Sequence, residues 1–204
     1  MPVPWFRRVR QAGELSVFDK AGSWSKATAK AVATFNGLNF PVKLVKTTDE
    51  KNANIVVKLA NGADSQSSWG NTASTDSDFD PTRLHGLTVS IIETHERRKT
   101  TEVIFAAIFL PAKVQATEEQ KEVIIVHEFI HASGLNGDGT KEGRKRDQDH
   151  ENTGIMYDIM MPDGKGLVEG SKPSDVGAMP PIRVGPQTRT KMQLIWGTEA
   201  SKKD

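Results

Sequence analysis

Apolar residues along the first half of the chain switch between a two-residue and a helical period, and each switch marks an element. Leu15 and Val17 stand on one face of a short strand expected over 13–19. Trp24, Ala27, Ala31 and Phe35 then recur at helical spacing, which predicts a helix capped by Ser23 or Ser25 and running to about Asn36. Gly37 sits where a C-terminal glycine belongs, and the stripe reads as core packing. The run 40–45 alternates as a half-buried strand, and 53–59 is a more apolar one. Two further strands, 87–92 and 102–110, flank the charged stretch 93–101 and read as a hairpin. Thr117-Glu118-Glu119-Gln120 has the form of a capping box, with Thr117 as N-cap and Gln120 at the third helical position. The apolar run after it predicts a helix from about Glu118 to Ser133. Near the end, Pro186 opens a short helix with Met192, Ile195 and Trp196 facing inward and Gly197 stopping it. The stretches 61–83 and 158–184 lack sustained periodicity and read as loops.

Composition narrows the functional classes. The 204 residues, 36% of them hydrophobic, suit one domain with a substantial core. A formal charge of +1, with both signs mixed along the chain, gives no reason to expect nucleic acid or a membrane surface as partner. Arg144-Lys145-Arg146 is flanked by Glu142, Asp147 and Asp149, the pattern of a solvated loop. Cysteine is absent, so metal ligands must come from histidine or carboxylate. The first ten residues hold no apolar run of signal-peptide length, and no stretch approaches a membrane span. The expectation is a cytoplasmic protein, unless a leader has been removed or export follows a route that needs none.

The decisive stretch is Val126-His127-Glu128-Phe129-Ile130-His131-Ala132-Ser133-Gly134-Leu135. Two histidines four apart on a helix project from one face about a turn apart, so both imidazoles can hold one metal ion. Zinc held there lowers the pKa of water, and the carboxylate of Glu128 takes the proton as general base. Gly134 stands where a helix ends through a left-handed glycine and the chain turns sharply, which can bring a later ligand back to the metal. A bare H-E-x-x-H also arises on ordinary amphipathic helices. The capping box, Gly134, the later His150 and a Met-Tyr pair lift this one above that background.

His127-Glu128-x-x-His131-x-x-Gly134 resembles the metzincin zinc peptidases, whose consensus continues with two more residues and a third histidine. Gly137 occupies that third position here and has no side chain to coordinate with. The next histidine is His150, beyond the polar insert 136–149. Gly154-Ile155-Met156-Tyr157-Asp158 is similar to the turn that places a methionine beneath the zinc, in a form that resembles the matrixin branch. The resemblance implies a matrixin-like metzincin with its third ligand postponed: zinc on His127, His131 and His150, Glu128 as general base, Met156 as apolar floor and Tyr157 in a structural role. It implies an α+β domain, a twisted mixed β-sheet backed by two long helices, with an irregular C-terminal subdomain closed by a terminal helix. The subdomains would span about 13–135 and 136–197. In this family the first strand of the hairpin is the sheet edge above the cleft, which places Leu87, Thr88, Val89, Ser90 and Ile91 along an extended substrate.

The expected activity is that of a monomeric zinc-dependent endopeptidase acting on a peptide or protein. Two other readings stay open. One is a gluzincin with Glu151 or Glu169 as third ligand, and the other is a zinc-stabilised binding module without turnover. Asp76, Asp78 and Asp80 alternate and are kept as a candidate for a structural calcium ion, although their spacing fits no EF-hand. His85 and His95 lie outside any ligand spacing and are left out of the metal site.

Closing the longer loop before His150 costs about 1–1.5 kcal/mol more chain entropy than the consensus spacing does. If His150 is the third ligand, His150→Ala weakens zinc binding by at least the ~10–100-fold typical of losing even an outer-shell partner. Competition with a chromogenic chelator measures this. A variant that binds like wild type moves the ligand to Asp138, Asp147, Asp149 or Glu151.

Overall fold

The computed structural model describes residues 2–60, 86–95, 100–112, 116–135, 182, 184 and 186–197. In chain order these form α1 (Arg7–Ala12), β1 (Glu14–Lys20), a 3-10 turn (Gly22–Trp24), α2 (Ser25–Gly37), β2 (Lys43–Thr47), β3 (Ile55–Ala60), β4 (Leu87–His95), β5 (Thr100–Pro111), α3 (Glu118–Ala132) and α4 (Pro186–Trp196). His150, Met156 and Tyr157 lie outside the described residues, as do Asp76, Asp78, Asp80 and His85.

The strands make one mixed sheet in the order β2-β1-β3-β5-β4. Four of them run parallel, and β4 pairs antiparallel with β5 at the edge. Parallel neighbours need a long return path, which α2 provides between β1 and β2. The face bearing Leu15, Val17, Leu44, Ile55, Val57, Ala106, Ile108 and Leu110 shares one apolar cluster with α2 and α3. The predicted stripe Trp24, Ala27, Ala31 and Phe35 is fully buried in it. Phe35 meets Phe129 of α3 edge-on, with ring centroids 6.2 Å apart. Burying each such ring contributes about 1.5–3 kcal/mol. The chain is thus α+β, a mixed sheet with two helices of 13 and 15 residues against it. Among the described residues no helix is long and apolar enough to cross a membrane.

α3 begins as its sequence predicts. Thr117 Oγ1 accepts from the Gln120 N–H, and Gln120 Oε1 accepts from the Thr117 N–H at 2.8 Å. Hydrogen bonds from its own backbone N–H and from Thr117 hold the Glu119 carboxyl below its ordinary value. The stabilisation this carries is present above the ordinary glutamate range and fades as pH falls through the lowered value.

The ends of α2 correct the sequence reading. Neither serine caps it: the 3-10 turn runs straight into the helix, Trp24 takes the N-cap position, and Ser25 Oγ donates to Asp19 Oδ1. The same Asp19 oxygen accepts the Ala21 N–H at 2.8 Å, so the loop is fixed from β1. Gly37 is an ordinary helical residue, and the left-handed position falls on Asn39, at φ 57°. Asparagine tolerates that region better than other residues with a Cβ.

The hairpin strands run further than expected, because Glu93, Thr94 and His95 pair with Glu102, Thr101 and Thr100. Main-chain pairing does not require apolar side chains. The opposed Glu93 and Glu102 are eased by cations, with Arg10 3.5 Å from Glu102 and His95, when protonated, 3.7 Å from it. A bulge at Ile91/Ile92 leaves Ile104 unopposed on β5. The extra residue reverses the alternation, so Val103 is turned into the core and Ile104 is exposed.

The N-terminal stretch, given no structural role by its pattern, straps this region. Val103 donates to Pro4 O at 2.8 Å, Phe6 donates back to Val103 O at 3.0 Å, and Val3 donates to Gly134 O at 2.9 Å. Gly134 has φ +113°, and a Cβ on it would lie 2.6 Å from Val3 O. Gly134→Ala therefore combines backbone strain of about 1–3 kcal/mol with a clash against fixed main chain. The expected result is a fall in the denaturation midpoint corresponding to at least that loss, and a midpoint equal to wild type would mean the strap is not anchored there.

Candidate metal centre

The last turns of α3 are buried on every side, and His127, Glu128 and His131 are 6%, 5% and 3% exposed. Helical spacing brings the two imidazoles together as the sequence predicts, with Nε2 of His131 3.0 Å from Nε2 of His127. The rings meet edge-on at 84°.

The second nitrogen of His131 decides what this pair can do. Nδ1 lies 2.8 Å from the carbonyl oxygen of Leu135. A carbonyl only accepts, so Nδ1 carries the hydrogen, and the neutral ring presents its lone pair at Nε2. A backbone carbonyl is one of the acceptors, with carboxylates and water, that orient the second nitrogen of metal-bound histidines. His127 Nε2 faces that lone pair, and a proton on it closes a hydrogen bond.

A metal ion fits the same point. Two nitrogens on a tetrahedral zinc, at ~2.0–2.1 Å from it, stand about 3.3 Å apart, within a few tenths of the observed separation. Two neutral imidazoles are also the donor type that zinc prefers. Among the described residues no third histidine, aspartate or glutamate joins the pair.

Glu128 turns to the edge strand. Thr88 Oγ1 on β4 lies 2.6 Å from Glu128 Oε2 and 3.1 Å from the Glu128 main-chain oxygen. Thr88 is 6% exposed, so its side chain serves the helix, and only its main chain is left for the edge. Leu87 and Val89 point to the opposite face, beside Phe109 and Ala107. β4 has no second neighbour among the described strands, as the edge role of 87–91 requires. His95 sits at the far end of β4, beside Glu93 and Glu102, away from the paired imidazoles.

Sequence pattern missed the groups that terminate α3. Trp5 Nε1 donates to Ala132 O at 2.8 Å, and Trp196 Nε1 donates to Ser133 O at 2.9 Å. Ser133 Oγ adds a bond of 2.7 Å to Phe129 O. A buried indole N–H needs an acceptor, which is the one signal that could have pointed to these tryptophans. No protein-family model matches the chain, and no curated protein matches it in sequence.

The metal-free protein is expected to hold His131 as the Nδ1–H tautomer. Long-range ¹H–¹⁵N spectra of labelled protein distinguish the tautomers directly. A hydrogen on Nε2 instead would mean that the Leu135 carbonyl does not set the ring.

Proposed function

We propose that the protein is a zinc-dependent endopeptidase, with His127, His131 and His150 as the metal ligands. The observation that carries this reading is the fixed tautomer of His131, which aims a lone pair at the point faced by His127. His150 enters on the sequence resemblance alone. The edge position of β4 beside α3 supports the same reading, since an extended peptide can pair with its main chain and lie across the end of the helix.

When bound, zinc supplies Lewis acidity that lowers the pKa of water and polarises a carbonyl. The chain's own part falls to three groups. His127 and His131 hold the ion from one side, so that Glu128, next to His127 in sequence, acts beside it. Glu128 takes a proton from water as the new C–O bond forms, then delivers it to the amine nitrogen as the C–N bond breaks. The low exposure of all three keeps competing solvent away from the carboxylate.

Glu128→Ala is expected to lose at least ~10²-fold in the rate of cleavage of a denatured protein, because general-base help is gone. Zinc content, read by atomic emission, should stay near that of wild type, because the glutamate is not a ligand. Cleavage by the purified variant at the wild-type rate would exclude this mechanism. A zinc-loaded wild type that cleaves nothing would favour the binding module.

A further inference from the structure

Gly86 and Thr88 stand two apart where β4 begins, so both belong to the same side of the strand. Both meet Glu128. The Thr88 hydroxyl has one proton to give, and its 2.6 Å contact to the carboxylate is the shorter of its two. That shorter contact lies within the range of a good O–H···O hydrogen bond, and the longer one falls just outside it. Gly86 acts by what it lacks. A Cβ there would lie 2.8 Å from Glu128 Oε1 and 2.9 Å from Glu128 Cγ, so the glutamate side chain occupies the space that any other residue at 86 would fill.

We propose that Gly86 and Thr88 form a cradle that fixes the Glu128 carboxylate for proton transfer, and that Thr88 is a positioning residue of the reaction. The inference rests on Glu128 being the general base. A glutamate has three side-chain torsions, and helix α3 restrains only its backbone. The cradle supplies the missing restraint from an element 40 residues away in sequence. It also ties the base to the strand expected to receive substrate. A peptide pairing with the outer side of β4 stiffens the main chain of Thr88, and the hydroxyl passes that order to the carboxylate.

A hydroxyl that merely satisfies a buried interface would affect stability. One that positions the base affects kcat. Thr88→Val keeps the shape and removes the donor, whereas Thr88→Ser keeps the donor and removes a methyl group. Displacing a catalytic group by about 1 Å costs up to ~10²-fold. The expected result is a kcat at least about tenfold lower for Thr88→Val, with KM within about twofold, and a kcat near wild type for Thr88→Ser. Zinc content should be the same in all three. The second readout needs neither metal nor turnover: in methyl-labelled, metal-free protein the Thr88 γ2 methyl should be rigid in wild type and clearly more mobile in Glu128→Ala.

Wild type without turnover sinks the endopeptidase reading and this inference with it. Wild-type turnover with an undiminished kcat in Thr88→Val overturns the inference alone. Equal losses in the Val and Ser variants would assign the effect to packing and also overturn it. So would a Thr88 methyl whose order does not change when Glu128 is removed.

Discussion

Everything near the paired histidines depends on one requirement: helix α3 has to end while buried. The last carbonyls of a helix have no partner within it, and away from water each one left bare costs about 1–3 kcal/mol. A surface helix leaves them to solvent. Here Phe129 and His131 give theirs to the N–H groups of Ser133 and Gly134, Ala132 gives its own to the indole of Trp5, and just past the helix Ser133, Gly134 and Leu135 give theirs to Trp196, Val3 and His131. The donors come from both ends of the chain and from the site itself. The last of these bonds ties the chain just past the helix back to its final turn and sets the imidazole, so the geometry of the exit and the orientation of the ring are coupled.

The same requirement explains Gly134. A left-handed C-terminal glycine is a local device, and its position was legible from the sequence. Its structural reason is less local. The strap from Val3 to Phe6 passes so close that no side chain fits, and the strap in turn continues the sheet beside Val103. The bulge that leaves Ile104 unopposed is what turns Val103 into the core. Helix end, strap and bulge are thus one packing solution.

What the sequence made legible follows from range. The start of α3 was readable because a capping box joins residues three apart, and the stripe of α2 because helical spacing is local. The ends of α2 were misread because Asp19, outside the helix, holds Ser25 in another bond and Asn39 takes the left-handed turn. The hairpin was placed but drawn too short, since charged residues signal a turn even where the ladder continues through them. Trp5 bonds a residue 127 positions away, and no periodicity encodes that. Thr88 was assigned to the edge by its strand, and its inward-facing hydroxyl became visible only when β4 was set against α3.

The motif treats its two histidines as equivalent, and the fold does not. His131 is preset: the Leu135 carbonyl holds its hydrogen on Nδ1, and the ring offers a lone pair before any metal arrives. His127 faces that lone pair at 3.0 Å, and without metal its Nε2 closes the contact as a donor. The zinc ion proposed for this pair would therefore need a change of tautomer in one imidazole and none in the other. One of the two rings is ordered during folding, by the bond that ties the chain past the helix to its last turn. An H-E-x-x-H helix ending in solvent would have to organise both rings at the moment of binding. If zinc binds as proposed, the buried termination prepares its site as well as stabilising the helix, and mutations that fray this end should weaken zinc binding even away from His127 and His131.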